Sequence, residues 1–102
     1  MNQRNVPSYS LERIQNAFNN VKKIKMTNSA YQGMVVLNFG LEDVVNVIQS
    51  LTRKDFYKSM PPIHHKFVAW QDVYKAHYKS VYLYIKFQIN DNDELLLSFK
   101  EA

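Results

Sequence analysis

Between Ser80 and Lys100 the chain alternates with a period of two on both sides of a four-residue turn signal, and few folds accept that pattern. Val81, Leu83, Ile85, Phe87 and Ile89 interleave with Tyr82, Tyr84, Lys86 and Gln88. Successive side chains of a strand point to opposite faces, so the first set lines a core and the second faces away from it. Asn90-Asp-Asn-Asp93 follows, rich in side chains that bond their own backbone in turns, and then Leu95, Leu97 and Phe99 resume the alternation. An antiparallel hairpin of strands 80–89 and 95–100 is therefore predicted. Because both apolar sets must reach one core, only every second register is allowed. One allowed register sets Lys100 opposite Tyr82; the next sets it opposite Tyr84 and diagonal to Tyr82. Either way Tyr82, Tyr84, Lys86, Ser98 and Lys100 share the other face.

The rest of the second half continues the sheet. Phe56 to Met60 reads as a strand ended by Pro61-Pro62, which cannot donate to a ladder, and Phe67 to Lys75 reads as another. Parity in these two is not clean. Gln71 shares its alternation with Ala69 and Val73, and Lys58 shares its own with Phe56 and Met60, so a bulge is needed if both polar groups are to leave the core.

Helical spacing rules the first half. After a tail over residues 1–7, expected to be loose, Ser8 or Ser10 caps a helix carrying Leu11, Ile14, Phe18 and Val21 and running to about Val21. Ile24 and Met26 suit a short edge strand. Thr27 or Asn28 caps a second helix that Gly33 is expected to stop. A third, begun between Asn38 and Leu41, buries Leu41, Val44, Val45, Ile48 and Leu51. Its valines are poor helix formers, so it has to be held by burial against the sheet. Helices over 8–51 followed by an antiparallel sheet over 55–100 define an α+β fold, and 102 residues suffice for one domain and one core.

Several chemistries are excluded by what is missing. With no cysteine there is no disulfide, thiolate zinc site or cysteine nucleophile, and with glycine only at 33 and 40 there is no glycine-rich phosphate loop. His64 and His65 are adjacent, so on extended chain they point apart and make a poor metal-binding pair; no metal or other cofactor is expected. No stretch is apolar enough to span a membrane and no charged leader precedes an apolar run, so a cytoplasmic protein is expected. The net charge of +4 favours a polyanionic partner. Ten of the fourteen aromatic residues and eight of the thirteen Lys and Arg fall between Arg53 and Lys100, which puts that partner on the sheet. Cations that meet phosphates and rings that stack on unpaired bases make an RNA-binding face, although a half-buried sheet with a solvated outer side uses the same residues.

Four segments favour the first reading. Asp55-Phe-Tyr-Lys-Ser-Met60, Trp70-Gln-Asp-Val-Tyr74, Val81-Tyr-Leu83 and Ser98-Phe-Lys-Glu101, in that order, closely resemble the motility quorum-sensing regulator (MqsR) family of bacterial toxins. The resemblance is specific over residues 51–101 and looser before them. It implies a RelE-like α+β fold and an mRNA interferase, the toxin of a type II toxin–antitoxin pair, neutralised by a cognate antitoxin protein. The resemblance also implies a site. The family's functional lysine falls on Lys58, its glutamine on Gln71, its tyrosine on Tyr82 and its near-terminal lysine on Lys100; Tyr57, Tyr84 and Lys86 beside them are expected to bind RNA. The loop holding His64 and His65 and the turn around Asp91 are longer than the family's usual ones, which bears on substrate preference. The expected activity is metal-independent cleavage of single-stranded mRNA by attack of the RNA's own 2′-hydroxyl, with operator DNA reached only through the antitoxin complex. A non-catalytic RNA-binding module, or a transcriptional co-regulator acting through the antitoxin, is the alternative on the same scaffold.

Overall fold

A computed structural model describes residues 3–62 and 69–102. Helices α1 (Leu11–Ala17), α2 (Asn28–Val36) and α3 (Leu41–Ser50) precede strands β1 (Phe56–Met60), β2 (Gln71–Tyr78), β3 (Val81–Ile89) and β4 (Leu95–Glu101). The strands form one antiparallel sheet in the order β1-β2-β3-β4. Ile14, Phe18, Met34, Val44 and Ile48 from the helical half bury against Tyr74, Leu83, Ile85, Phe87 and Leu97 of the sheet. The α+β expectation holds, with the helical core on one side of the sheet and the other side left open.

Each helix has its own start and stop. The Ser10 hydroxyl accepts from Arg13 N–H and caps α1, which ends at Ala17 rather than at Val21. Asn20 interrupts: its side chain accepts the Lys22 amide and starts a separate tight turn, Val21–Lys23, leaving Val21 on the surface while Phe18 stays buried. Thr27 caps α2, and this helix runs through Gly33 instead of stopping there. The stop falls to Asn38, whose φ of 61° takes the left-handed position while Phe39 N–H bonds Met34 C=O and Asn38 N–H bonds Val35 C=O. Gly33 instead faces the sheet, where a Cβ would lie 3.8 Å from the Phe99 carbonyl. In α3 the fully buried positions are Val44, Val47 and Ile48, with Leu51 just beyond; Val45 is half-buried, a one-position rotation of the expected face. Gln15 of α1 donates to the orphan carbonyls of Ile48, Gln49 and Leu51, which closes the end of α3.

The strands keep nearly the expected limits except β2, which starts at Gln71 and continues to Tyr78. The expected start at Phe67 lies outside the described residues. The extension past Lys75 comes from a two-residue turn at Lys79-Ser80, both with positive φ, whose twist suits a hairpin. In the β3–β4 hairpin Tyr84 opposes Lys100 and Ile85 opposes Phe99, so the second of the two allowed registers is the one formed. Between β1 and β2 the register slips from Phe56 opposite Tyr74 to Lys58 opposite Val73, which is the bulge the parity required.

From Arg4 onward the tail is not loose. Arg4 exchanges both backbone hydrogen bonds with Ser59 on the free side of β1, and its guanidinium lies 3.6 Å from the Trp70 ring centre. Behind it the fully buried carboxylate of Asp72 accepts from Ser8 N–H and Tyr9 N–H, each 2.9 Å, and from Ser59 Oγ at 2.7 Å. On the opposite edge Lys25 and Thr27 hydrogen-bond Leu97 of β4 in a parallel bridge, so the suspected strand at Ile24–Met26 is a single bridged position.

Asp72→Ala removes the acceptor of the buried Tyr9 amide and the part-buried Ser8 amide, while the Ser59 hydroxyl keeps Ser8 Oγ at 2.9 Å as a partner. Each unpaired buried group costs about 1–3 kcal/mol, so the variant is expected to lose roughly 2 kcal/mol or more of unfolding free energy in urea titration. A loss below about 1 kcal/mol would show that water replaces the carboxylate.

Asp43 ties α3 to the β2–β3 turn: its carboxylate accepts from Tyr78 Oη and Lys79 Nζ, each 2.8 Å, and from Gly40 N–H. The bond from Lys79, then those from Gly40 and Tyr78, hold its pKa down at about 2. A depressed carboxylate stabilises the fold above its unfolded pKa and loses that contribution as pH falls through the folded one. The melting-temperature gap between the parent and Asp43→Asn is therefore expected to be full near neutral pH and to close between about pH 4 and pH 2. A gap of constant size down to acid pH would rule the carboxylate out.

Candidate functional site on the open face of the sheet

The side of the sheet turned away from the helices is ordered in rows by the strand registers. Lys58 opposes Val73, Val73 opposes Lys86, and Lys86 opposes Ser98, which makes one row across all four strands. Lys75, Tyr84 and Lys100 make the next. His77 opposes Tyr82 beyond that, and Gln71 lies on the far side of the lysine row beside Gln88, to which its side chain donates at 2.8 Å. The bulge matters here. Without it Tyr57 and Lys58 would point to opposite sides; with it, Tyr57 joins the open face while Lys58 stays there and Phe56 packs edge-on against Tyr74 in the core.

Cations and rings interleave across these rows. Lys75 Nζ is 3.8 Å from the Tyr57 ring centre and 5.2 Å from that of Tyr84. Lys58 Nζ lies 5.0 Å from the Tyr57 ring centre, and Lys100 Nζ 5.9 Å from that of Tyr84. Such contacts fix lysine heads over ring faces and leave the outer ring faces to solvent. Tyr57 and Tyr82 are among the most exposed large side chains, at 44% and 40%. Neither acidic strand residue, Asp72 or Glu101, shares this alternation, so the strands' side chains give the face one sign of charge.

The structure brings most of the expected residues together. Lys58, Tyr82 and Lys100 all stand on this face, and Lys100 is diagonal to Tyr82, a Cβ separation of roughly 7–8 Å. Gln71 is on it too, but its partner Gln88 is six residues along β3 from Tyr82, roughly 20 Å at strand rise. One phosphate cannot touch both. Gln71 instead neighbours Lys58 and Lys86 diagonally. Tyr57, Tyr84 and Lys86, the residues expected to bind RNA, lie inside the patch.

Two members were missed in the sequence. Lys75 and His77 share the alternation of Gln71 and Val73, and parity alone would have placed them; the obscuring feature was Val73, apolar and wholly buried on the open side. The His77 and Tyr82 rings stack, with centres 4.3 Å apart and planes 23° apart. The pair His64-His65 lies outside the described residues, among which no three His, Asp or Glu side chains cluster as metal ligands.

Burial and neighbouring charge perturb the centre of the patch. Lys86 is half-buried, and burial first, then the charges of Lys100 and Lys58, push its pKa down. The Tyr84 phenol is pushed up by burial and by Tyr57. Beside them a cleft of about 330 Å³ opens between α2 and β4, lined by Ser29, Gly33, Lys86, Ser98 and Lys100 among others.

Tyr57, Lys58, Tyr82 and Lys100 of the four motif segments thus meet Lys75, Tyr84 and Lys86 on one strand face without a carboxylate. The family model described as "Motility quorum-sensing regulator, toxin of MqsA" matches residues 6–101. The chain belongs to this family. It is also 34% identical over 82 residues to the mRNA interferase toxin MqsR of Escherichia coli (strain K12), covering 80% of this chain and 82% of that protein. Membership in the MqsR family extends the likeness beyond the C-terminal motifs to almost the whole chain, including the helical half where the sequence carried few identifying residues.

Proposed function

We propose that this chain is the toxin of a type II toxin–antitoxin pair and that its open sheet face cleaves single-stranded mRNA. Membership in a family described as toxins of MqsA implies a cognate antitoxin, and the mRNA interferase name of the E. coli relative supports the reaction. The observation that carries the reading is the convergence of Lys58, Lys86 and Lys100 with Tyr57, Tyr82 and Tyr84 on one side of a rigid sheet.

RNA contains its own nucleophile. The 2′-oxygen attacks the adjacent phosphorus, the bond to the 5′-oxygen breaks, and a 2′,3′-cyclic phosphate and a 5′-hydroxyl remain. Protein groups have to place the sugar, move two protons and stabilise a phosphorane whose charge exceeds that of the ground state. Lys58 and Lys100 supply the stabilising charge from opposite strands and take the role a metal ion plays elsewhere. Tyr82, oriented by the His77 stack, reaches the same phosphate as Lys100, and Gln71 positions the chain at the Lys58 end. Tyr57 and Tyr84 offer faces for flanking bases. Operator DNA is engaged only through the antitoxin complex.

Purified protein is expected to cut a defined single-stranded transcript with EDTA present and to leave cyclic-phosphate and 5′-hydroxyl ends, read by end mapping. Salt-sensitive binding with no cut product would establish a non-catalytic RNA-binding module instead, and a requirement for added metal would overturn the mechanism.

Tyr82→Phe and Lys100→Ala are each expected to lower the cleavage rate at least about tenfold, or ~1.4 kcal/mol, with the double variant well short of additive because both act on one phosphate. Melting temperatures should not move, since both side chains are exposed on the open face. Full additivity would place the two residues on different steps.

A further inference from the structure

Among the cations of the open face, Lys86 alone sits in the middle. It opposes Ser98 and Val73, has Lys100 and Lys75 as diagonal neighbours on β4 and β2, and shares its row with Lys58. Gln71 is diagonal to it on the other side. β3 is paired along both edges, so the backbone of this position is held from two sides. Val73, wholly buried beside it, gives the aliphatic stem an apolar seat. The geometry points to Lys86 as the general base that takes the proton from the attacking 2′-hydroxyl, a role distinct from holding RNA; this rests on the cleavage reading above.

The electrostatics of the position fit that role. Facing the amine are Lys58 and Tyr57 from β1, Lys75 from β2, Tyr84 on its own strand, and Lys100 from β4; Glu101 borders the cleft from the opposite alternation, beside Leu83, and α2 contributes the Ser29 hydroxyl and no ionisable group. Three cations with no carboxylate on their own alternation, together with burial, favour the neutral amine, and the downward pKa shift agrees in direction. An entering phosphodiester adds one negative charge and leaves the three cations still in excess. A lysine tuned downward toward the working pH is a better acceptor than one at its ordinary value.

The step balances. The 2′-oxygen bonds to phosphorus as its proton passes to neutral Lys86 Nζ; the bond from phosphorus to the 5′-oxygen breaks, and that oxygen takes a proton from the Lys100 ammonium. Exchange with water through the cleft returns both amines to their starting states.

Arginine keeps the cation but does not give up its proton at any working pH, so Lys86→Arg separates a base from a phosphate contact. Single-turnover cleavage of a defined RNA is measured across pH for parent, Lys86→Arg and Lys86→Gln, with binding measured on the same RNA carrying a 2′-deoxy nucleotide at the cut. The parent rate is expected to climb with pH through an apparent pKa below the ordinary lysine value. Lys86→Arg should lose at least about a hundredfold in rate and the climb itself, while its affinity stays within about threefold. Lys86→Gln, which is smaller and crowds nothing, should show the same rate loss at an unchanged melting temperature. If either variant fails to fold, the other still decides. A Lys86→Arg protein that keeps the parent rate and profile, or whose loss is all in affinity, overturns the base assignment and leaves the cleavage reading standing. A parent that leaves RNA intact removes the cleavage reading itself.

Discussion

The buried carboxylate of Asp72 is the point on which the two halves of this molecule meet. It accepts the first amides of the helical half, Ser8 and Tyr9, and the hydroxyl of Ser59 in β1, while itself belonging to β2. A charge in an apolar interior is tolerated only when its lone pairs are filled, and here three donors from two other segments fill them. The consequences spread from there. Tyr9, fixed by its amide, sends its hydroxyl to the Trp70 carbonyl and receives the Ile89 amide at the far end of β3. The tail ahead of Ser8 then runs along β1, where Arg4 pairs with Ser59 and covers an edge that would otherwise offer unpaired amides.

This explains why the segment Trp70 to Tyr74 resists a simple alternating reading. Trp70 carries the Arg4 guanidinium, Asp72 fills the network, and Tyr74 is a core ring whose phenol is pushed up to about 12 by burial and then by Asp72. Of the five residues only Gln71 offers a polar group to the open face. Most of the motif holds the sheet together, and the chemistry it supports lies on β3, β4 and the bulge of β1.

The bulge is the second device. One extra residue in β1 lets Phe56 pack inward while Tyr57 and Lys58 both face outward, so an aromatic platform and a cation enter the patch at adjacent positions. It also concentrates positive charge, since Lys58, Lys75, Lys86 and Lys100 repel one another without a carboxylate among them on the strands. That repulsion lowers the stability of the empty face and is relieved when a polyanion arrives, which favours binding and tunes the central amine at the same time.

By itself the sequence determined the α+β order of elements, the core faces of β3 and β4 and therefore the outward position of Tyr82, Lys86 and Lys100, because period-two alternation is a local property that no neighbour can change. Likeness to the MqsR motifs added Lys58 and Gln71, whose faces alternation left open. Tertiary structure decided what depends on a neighbour: the β3–β4 register, the bulge that turned Lys58 outward, the run of α2 past Gly33 to Asn38, and the inclusion of Lys75 and His77. It also separated Gln71 from Tyr82 by most of the length of β3 and placed Lys86 between them. Those outcomes follow from pairing and burial between segments distant in the chain, and residue order contains no distance between such segments until the chain has folded.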